Sequence, residues 1–217
     1  MAVTAAALTA TLAVAPISSV WAVPTVGDAS FETPNLSTNS GSNREYLYNP
    51  SGSAWTYTNS AGVGSNGGPF YAGGAPDGVQ AAFLQANDTS GMGSISQLIT
   101  GLTAGASYTV SFFIASRPGS FSGATPVNVT FGGFDLGSYT NTSTDFVLET
   151  SQAYLATDTS ALLTFTATNV VGRDNNMALD VVSLTQVGSV AVPEPATMAL
   201  LAVGTIGVLL GRRRTAD

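Results

Sequence analysis

Between positions 108 and 114 every second side chain is large and apolar. Tyr108, Val110, Phe112 and Ile114 share one parity, with Thr109 and Ser111 on the other. Only an extended backbone, whose side chains alternate between two faces, places these four on a common surface. The pattern recurs at Val127, Val129 and Phe131, and again at Leu163, Phe165 and Ala167. Residues 80–84, 94–99, 146–149 and 178–184 read as further strands. Turn-forming clusters separate them: Gly73-Gly74-Ala75-Pro76-Asp77-Gly78, Gly101-Leu102-Thr103-Ala104-Gly105, Arg117-Pro118-Gly119 and Gly132-Gly133. No long amphipathic helical pattern interrupts the series. Short strands of this spacing predict an all-β, antiparallel sandwich.

Two apolar segments lie outside the pattern. Residues 2–20 are small and apolar, are broken by Pro16, and lead into Val20-Trp21-Ala22. Small residues three and one before a scissile bond suit signal peptidase, so residues 1–22 read as a signal helix cleaved after Ala22. No Lys or Arg precedes that run, leaving the α-amino group as its positive charge. At the other end, Pro193-Glu194-Pro195 precedes an apolar run over 196–210, then Gly211 and Arg212, Arg213 and Arg214. The prolines stop a helix from extending backward into the body. The run is about fifteen residues, roughly 22 Å as a helix against a hydrocarbon core of roughly 30 Å. Snorkelling arginines and local bilayer thinning cover part of that deficit. By the positive-inside rule the arginines stay cytoplasmic and the body lies outside. The expected organisation is a signal peptide over 1–22, a β-sandwich over 23–187, a linker over 188–192 and a tail over 193–214.

Charge narrows the range of partners. All six basic residues are arginine, and outside the terminal cluster only Arg44, Arg117 and Arg173 remain. Of the thirteen acids, all but Glu194 and Asp217 lie in the body. Such a surface repels phosphate backbones and excludes nucleic acid, whereas divalent cations and neutral polymers remain compatible. The chain has no Cys and no His. Disulfides, thiolate metal sites, imidazole bases, histidine-containing triads and His-rich zinc sites are therefore all excluded.

The order of elements in the tail resembles the PEP-CTERM sorting signal: Val192-Pro193-Glu194-Pro195, a short apolar helix, and a terminal arginine cluster. That resemblance implies a bacterial exported protein handled by signal peptidase and then by exosortase. Processing would fall at or near Pro193, Glu194 and Pro195. The short transmembrane helix would anchor the chain to the inner membrane only transiently, before release to the cell surface or extracellular matrix.

The body resembles the galactose-binding-like jelly roll shared by many carbohydrate-binding modules. The residues that carry this likeness open with Asp28-Ala29-Ser30-Phe31-Glu32 and Trp55. They continue with Pro76-Asp77-Gly78-Val79-Gln80-Ala81-Ala82, Ile95-Ser96-Gln97 and the Gly101–Val110 stretch, and close with Leu179-Asp180-Val181-Val182-Ser183-Leu184. In those modules an early Glu and a late Asp hold a structural calcium, which the resemblance maps onto Glu32 and Asp180. Calcium takes oxygen ligands, so the lack of His and Cys is no obstacle. Asp180 shares parity with Val182 and Leu184, and if those face inward its carboxylate does too and needs a partner. The alternative is a strand-end Asp180 bonded to backbone amides or to Arg173.

For carbohydrate, the candidates are aromatic platforms and polar groups: Trp55 and Tyr57, which share a strand face, Tyr71 in a Gly-rich segment, and Arg117 at a strand end. Trp55 suits a core position equally, and Arg117 a turn-stabilising one. These features favour a noncatalytic surface or matrix protein associated with exopolysaccharide. Two alternatives stay open. Glycoside hydrolysis needs only two carboxylates, and a purely structural matrix protein needs no ligand.

Overall fold

A computed structural model describes residues 23–37, 45–87, 91–118, 125–168 and 175–189. The signal cleavage site at Ala22, the sorting motif and the terminal arginines lie outside the described residues, as do both expected terminal helices. Every element within the described residues is a strand, and together they form an antiparallel jelly-roll sandwich. The larger sheet runs in the order β1 (Tyr46–Tyr48), β3 (Ala61–Ser65), β4 (Gln80–Asn87), β13 (Asn175–Ser189), β7 (Ala106–Ser116) and β10 (Val147–Thr150). Two short strands join it: β5 (Gly91–Met92) on β4 and β11 (Tyr154–Leu155) on β7. The second sheet runs β2 (Thr56–Thr58), β6 (Ser94–Thr100), β12 (Ser160–Ala167), β8 (Val127–Phe131) and β9 (Phe134–Tyr139).

Parity decides what fills the space between the sheets. Tyr108, Val110, Phe112 and Ile114 of β7 face Val127, Val129 and Phe131 of β8 and Leu163, Phe165 and Ala167 of β12, all buried. Aromatic rings tie the layers together. Phe112 meets Phe165 and Tyr139 edge-on at 5.1 Å, and Trp55 meets Phe165 at 6.2 Å and Phe31 at 5.3 Å. Such edge and tilted contacts suit the ring quadrupole. The Gly101–Gly105 and Gly132-Gly133 clusters link strands, as expected from sequence. Gly132 and Gly133, at φ of 58° and 83°, make the tight two-residue link from β8 to β9, a primed hairpin geometry that L side chains resist.

Part of the larger sheet is covered on its outer face as well. All described side chains of β4, and those of β13 from Asn175 to Asp180, are buried. The segment over 66–79, which composition alone marks as a Gly-rich loop, lies back across these strands. Phe70 stacks on Phe83 at 3.8 Å, and Tyr71, Ala81, Ala115 and Ala178 complete a second apolar cluster. Gly62 makes room for it, because a Cβ there would overlap the Phe83 ring and the Leu47 carbonyl. Asn176 Nδ2 donates to Phe70 O at 2.9 Å, fastening the strap to a strand 106 residues away.

β13 carries a bulge where alternation fails. Asp180 pairs with Phe113 and Ser183 with Ser111, so Val181 and Val182 together oppose Phe112 alone. Val181 sits at φ 48°, in the left-handed region. The bulge lets Leu179 and Val182 both reach the core. Asp180 therefore does not share a side with Val182 and Leu184. It is buried, as the parity reading expected, but on the outer face, beneath the N-terminal segment and the strap.

Candidate functional site

Glu32, Asp77 and Asp180 meet where three stretches of chain converge: residues 26–36, the end of the strap over 75–80, and the β13 bulge. Glu32 Oε1 accepts hydrogen bonds from the amides of Val79 and Gln80, both at 2.8 Å. Gly78 is required beside it. At φ 74°, it leaves no room for a Cβ, which would collide with the Glu32 carboxylate. Gln80 is buried and locks the same segment, donating Nε2 to Phe31 O at 3.0 Å and to Pro34 O at 3.1 Å while its Oε1 accepts from Leu36 N. Ser30 Oγ donates to Asp77 Oδ2 at 2.6 Å.

Asp180 closes the cluster. Its Oδ2 accepts from Asp77 N at 3.1 Å and its Oδ1 from Val181 N at 2.9 Å. The Val182 amide donates to Ala29 O at 3.0 Å, so the bulge itself holds the N-terminal segment in place. Asp180 is 0% exposed. Burial, helped by the negative charges of Asp77 and Glu32 and opposed by the two amide hydrogen bonds, pushes its carboxyl up to about 7. Asp180 and Glu32 in turn add to burial in pushing up the Tyr71 hydroxyl.

Hard oxygen donors, negative charge and a buried carboxylate whose charged neighbours are themselves acids suit a calcium-sized cation. Among the described residues no three His, Cys, Asp or Glu side chains are arranged as a metal cage. A cation here would take Glu32 and Asp180 and complete its shell with carbonyl oxygens and water. Asp77 was read from sequence as part of a turn, of the jelly-roll likeness and of the available carboxylates, but not as a neighbour of Asp180. Its place beside Asp180 depends on a contact 103 residues long, and the Pro76-Asp77-Gly78 triplet was the one available hint.

The aromatic candidates for carbohydrate have other surroundings. Trp55 is buried, with Nε1 donating to Asp28 O at 3.0 Å, and Tyr57 is a core residue whose hydroxyl burial pushes upward. Tyr71 is buried in the outer cluster, donating its hydroxyl to Gly64 O at 2.7 Å. With their faces packed against protein, none of the three presents a stacking platform. Alternation alone could not say which of the two faces of β2 met the core, nor that the strap folds inward. Arg117 is half-buried. Its Nε donates to Pro69 O at 2.9 Å and its guanidinium lies 5.1 Å from the Phe70 ring centre, pinning the strap. The structure brings Glu32 and Asp180 together, puts Trp55 and Tyr57 in the core between the sheets, and puts Tyr71 and Arg117 at the strap on the outer face of the larger sheet.

Comparison with known proteins places this geometry. The family described as HpiC1-like, HpiC1 cyclase, matches residues 22–185. The chain belongs to the HpiC1-like family. The sandwich and its acidic cluster thus sit within one family segment, and the PEP-CTERM protein-sorting motif matches residues 191–214 behind it. That motif marks the chain as an exported, sorted protein. No curated protein matches it. Solved structures of similar shape include TmCBM61 in complex with β-1,4-galactotriose, at 15% identity over 76% of this chain and 99% of that one, with a TM-score of 0.49. CBM36 in complex with calcium and xylotriose is similar at 20% identity over 60% and 99%, TM-score 0.41. The enzymatically active domain of tailspike protein 4 from bacteriophage CBA120 is similar at 12% identity and TM-score 0.48, over 75% of this chain. This family member spans only 21% of the tailspike chain.

Proposed function

We propose that this HpiC1-like protein is a noncatalytic surface or extracellular-matrix protein, sorted by exosortase and associated with exopolysaccharide through its sandwich. The sorting motif behind the folded body is the observation that carries the reading. Signal peptidase and exosortase act on the ends during export, and the apolar tail anchors the chain to the inner membrane in between. The acids support a holding role rather than bond cleavage. Hydrolysis of a glycoside requires two carboxyls flanking an open cleft, whereas Glu32 and Asp180 are engaged by backbone amides and Asp180 is fully buried. Electrophoresis of the mature protein through gels containing neutral polysaccharide tests this. Retardation without cleared substrate is the expected result, and clearing, or unchanged mobility in every polysaccharide, overturns it.

Calcium belongs to the same reading. Glu32 and Asp180 would hold it between the N-terminal segment and β13, and the ion would neutralise a buried charge and rigidify the clamp. Calorimetric titration should show binding by the wild type and its loss in Asp180→Ala. A wild type that evolves no heat with calcium rules the site out.

A second reading rests on the family description, which names a cyclase. In it Asp180, the carboxyl that keeps its proton to about pH 7, would act as a general acid. That requires solvent access. Modification of Asp180 by a water-soluble carbodiimide at pH 6 would favour the enzyme, and protection favours the clamp.

A further inference from the structure

The outer face of the five-stranded sheet carries a pattern that neither the acidic cluster nor the strap explains. Register places Thr58, Ser94, Thr166, Asn128 and Ser138 in one line across all five strands. Thr56, Ser96, Thr164, Thr130 and Asp135 form a second. Beyond these, Leu98 pairs with Leu162, and Thr100 with Ser160. Leu98 is 61% and Leu162 49% exposed, so none of the described residues covers the centre of this face. Eight of the ten positions in the two lines are hydroxyls. The only ionisable group in either line, Asp135, sits on the edge strand, its Oδ1 taken up by Asn128 Nδ2 at 2.8 Å and Gly137 N at 2.9 Å.

This composition selects among occupants. A polyanion finds no cation in the lines. A second copy of the chain would need about 800 Å² per partner with an apolar centre. Four inter-strand gaps of about 4.8 Å by six residue steps of about 3.4 Å give only about 400 Å² here, with two leucines as its apolar part. A flat crystalline surface meets a sheet that turns by roughly 20–25° per strand and can touch only part of it. A single uncharged polyhydroxylated chain fits all three constraints, because its hydroxyl edges pair with a line of hydroxyls and its ring faces lie on a small aliphatic patch.

We propose that this outer face binds a neutral polysaccharide chain lying across β6, β12 and β8. Ser96, Thr164 and Thr130 line one side of that chain and Thr100 and Ser160 the other, with Leu98 and Leu162 beneath it. The assignment rests on the carbohydrate reading above but moves the site away from Trp55, Tyr57, Tyr71 and Arg117. All its members point away from the core, so charged substitutions leave the fold intact, as a thermal melt will verify. Affinity electrophoresis in hydroxyethylcellulose, β-1,4-galactan, β-1,4-xylan and polyanionic alginate provides the test, using the mature wild type, Leu162→Asp, Thr164→Glu and, on the opposite side of the molecule, Arg117→Ala. The expected result is retardation of the wild type by at least one neutral polymer and not by alginate. Leu162→Asp and Thr164→Glu should each weaken it at least tenfold, while Arg117→Ala binds as the wild type does. Wild-type binding that survives both face substitutions overturns this site and leaves the carbohydrate reading standing, whereas a wild type retarded by none of the neutral polymers overturns both. A wild-type dimer in sedimentation that Leu162→Asp converts to monomer, with retention unchanged, would make the face an interface between copies and overturn the proposal.

Discussion

Replacing Phe165 by alanine is expected to lower stability by about 3–5 kcal/mol, the usual cost of deleting a buried ring from a packed core. Phe165 stands on the middle strand of the five-stranded sheet, fully buried, with its ring against Phe112 of β7 and Trp55 just before β2. The cavity would open at the meeting point of both layers, where neither sheet can collapse without disturbing its own ladder. Three residues earlier on the same strand, Leu162 faces solvent, and its change to alanine should stay within about 0.5 kcal/mol. Urea unfolding of both variants, followed by tryptophan fluorescence, measures the contrast. A larger loss in Leu162→Ala than in Phe165→Ala would mean that the inward and outward faces of β12 have been exchanged.

The second large effect concerns pH. An aspartate in an unfolded chain titrates near 3.9, whereas burial and the neighbouring acids push folded Asp180 up to about 7. Between those values the folded state holds a proton that the unfolded state has lost. The stability tied to that proton is therefore complete below the unfolded value and is lost as pH rises through the folded one. In EDTA, the wild type should melt several degrees lower at pH 8 than at pH 5, since each kcal/mol moves the midpoint of a domain this size by roughly 2–4 °C. Asp180→Asn cannot ionise and should lack this decline, melting above the wild type at pH 8. Calcium should raise the wild-type midpoint at pH 8 and leave the variant unmoved. Asp135 works in the opposite sense. The Gly137 amide and then Asn128 hold its carboxyl low, so its contribution fades only in stronger acid. Parallel melting curves for wild type and Asp180→Asn across pH 5 to 8 would show that Asp180 is not the group responsible.

Both predictions depend on faces, and faces were only partly legible. The strands at 108–114, 127–131 and 163–167 could be read with their inward residues named, because each alternates without interruption and sits in a sheet with one face on the core. Gly132-Gly133 and the Gly101–Gly105 turn were equally plain, since few residues accept a positive φ. The reading of sites fared differently. Trp55 and Tyr57 were taken as candidate platforms because they share a strand face, and Tyr71 because Gly-rich sequence surrounds it. That face of Trp55 and Tyr57 meets the core between the sheets, and a long contact from Asn176 to Phe70 folds the Tyr71 segment onto the larger sheet. Glu32 and Asp180 were linked through a resemblance, and their convergence follows from hydrogen bonds spanning Glu32 to Val79 and Asp77 to Asp180. The hydroxyl lines of the outer face were present in the sequence as unremarkable serines and threonines. They become lines only once five strands are set in register.

What the residues settled unaided was local: extended backbone wherever alternation held, turns where glycine and proline clustered, and exclusion of thiol and imidazole chemistry. These follow from side-chain direction, backbone sterics and composition, which need no distant partner. The side on which Asp180 lies, the burial of the strap aromatics and the alignment of the outer hydroxyls were decided by tertiary structure alone. Each depends on which strand lies beside which, and one extra residue in a bulge is enough to turn every side chain beyond it to the opposite face.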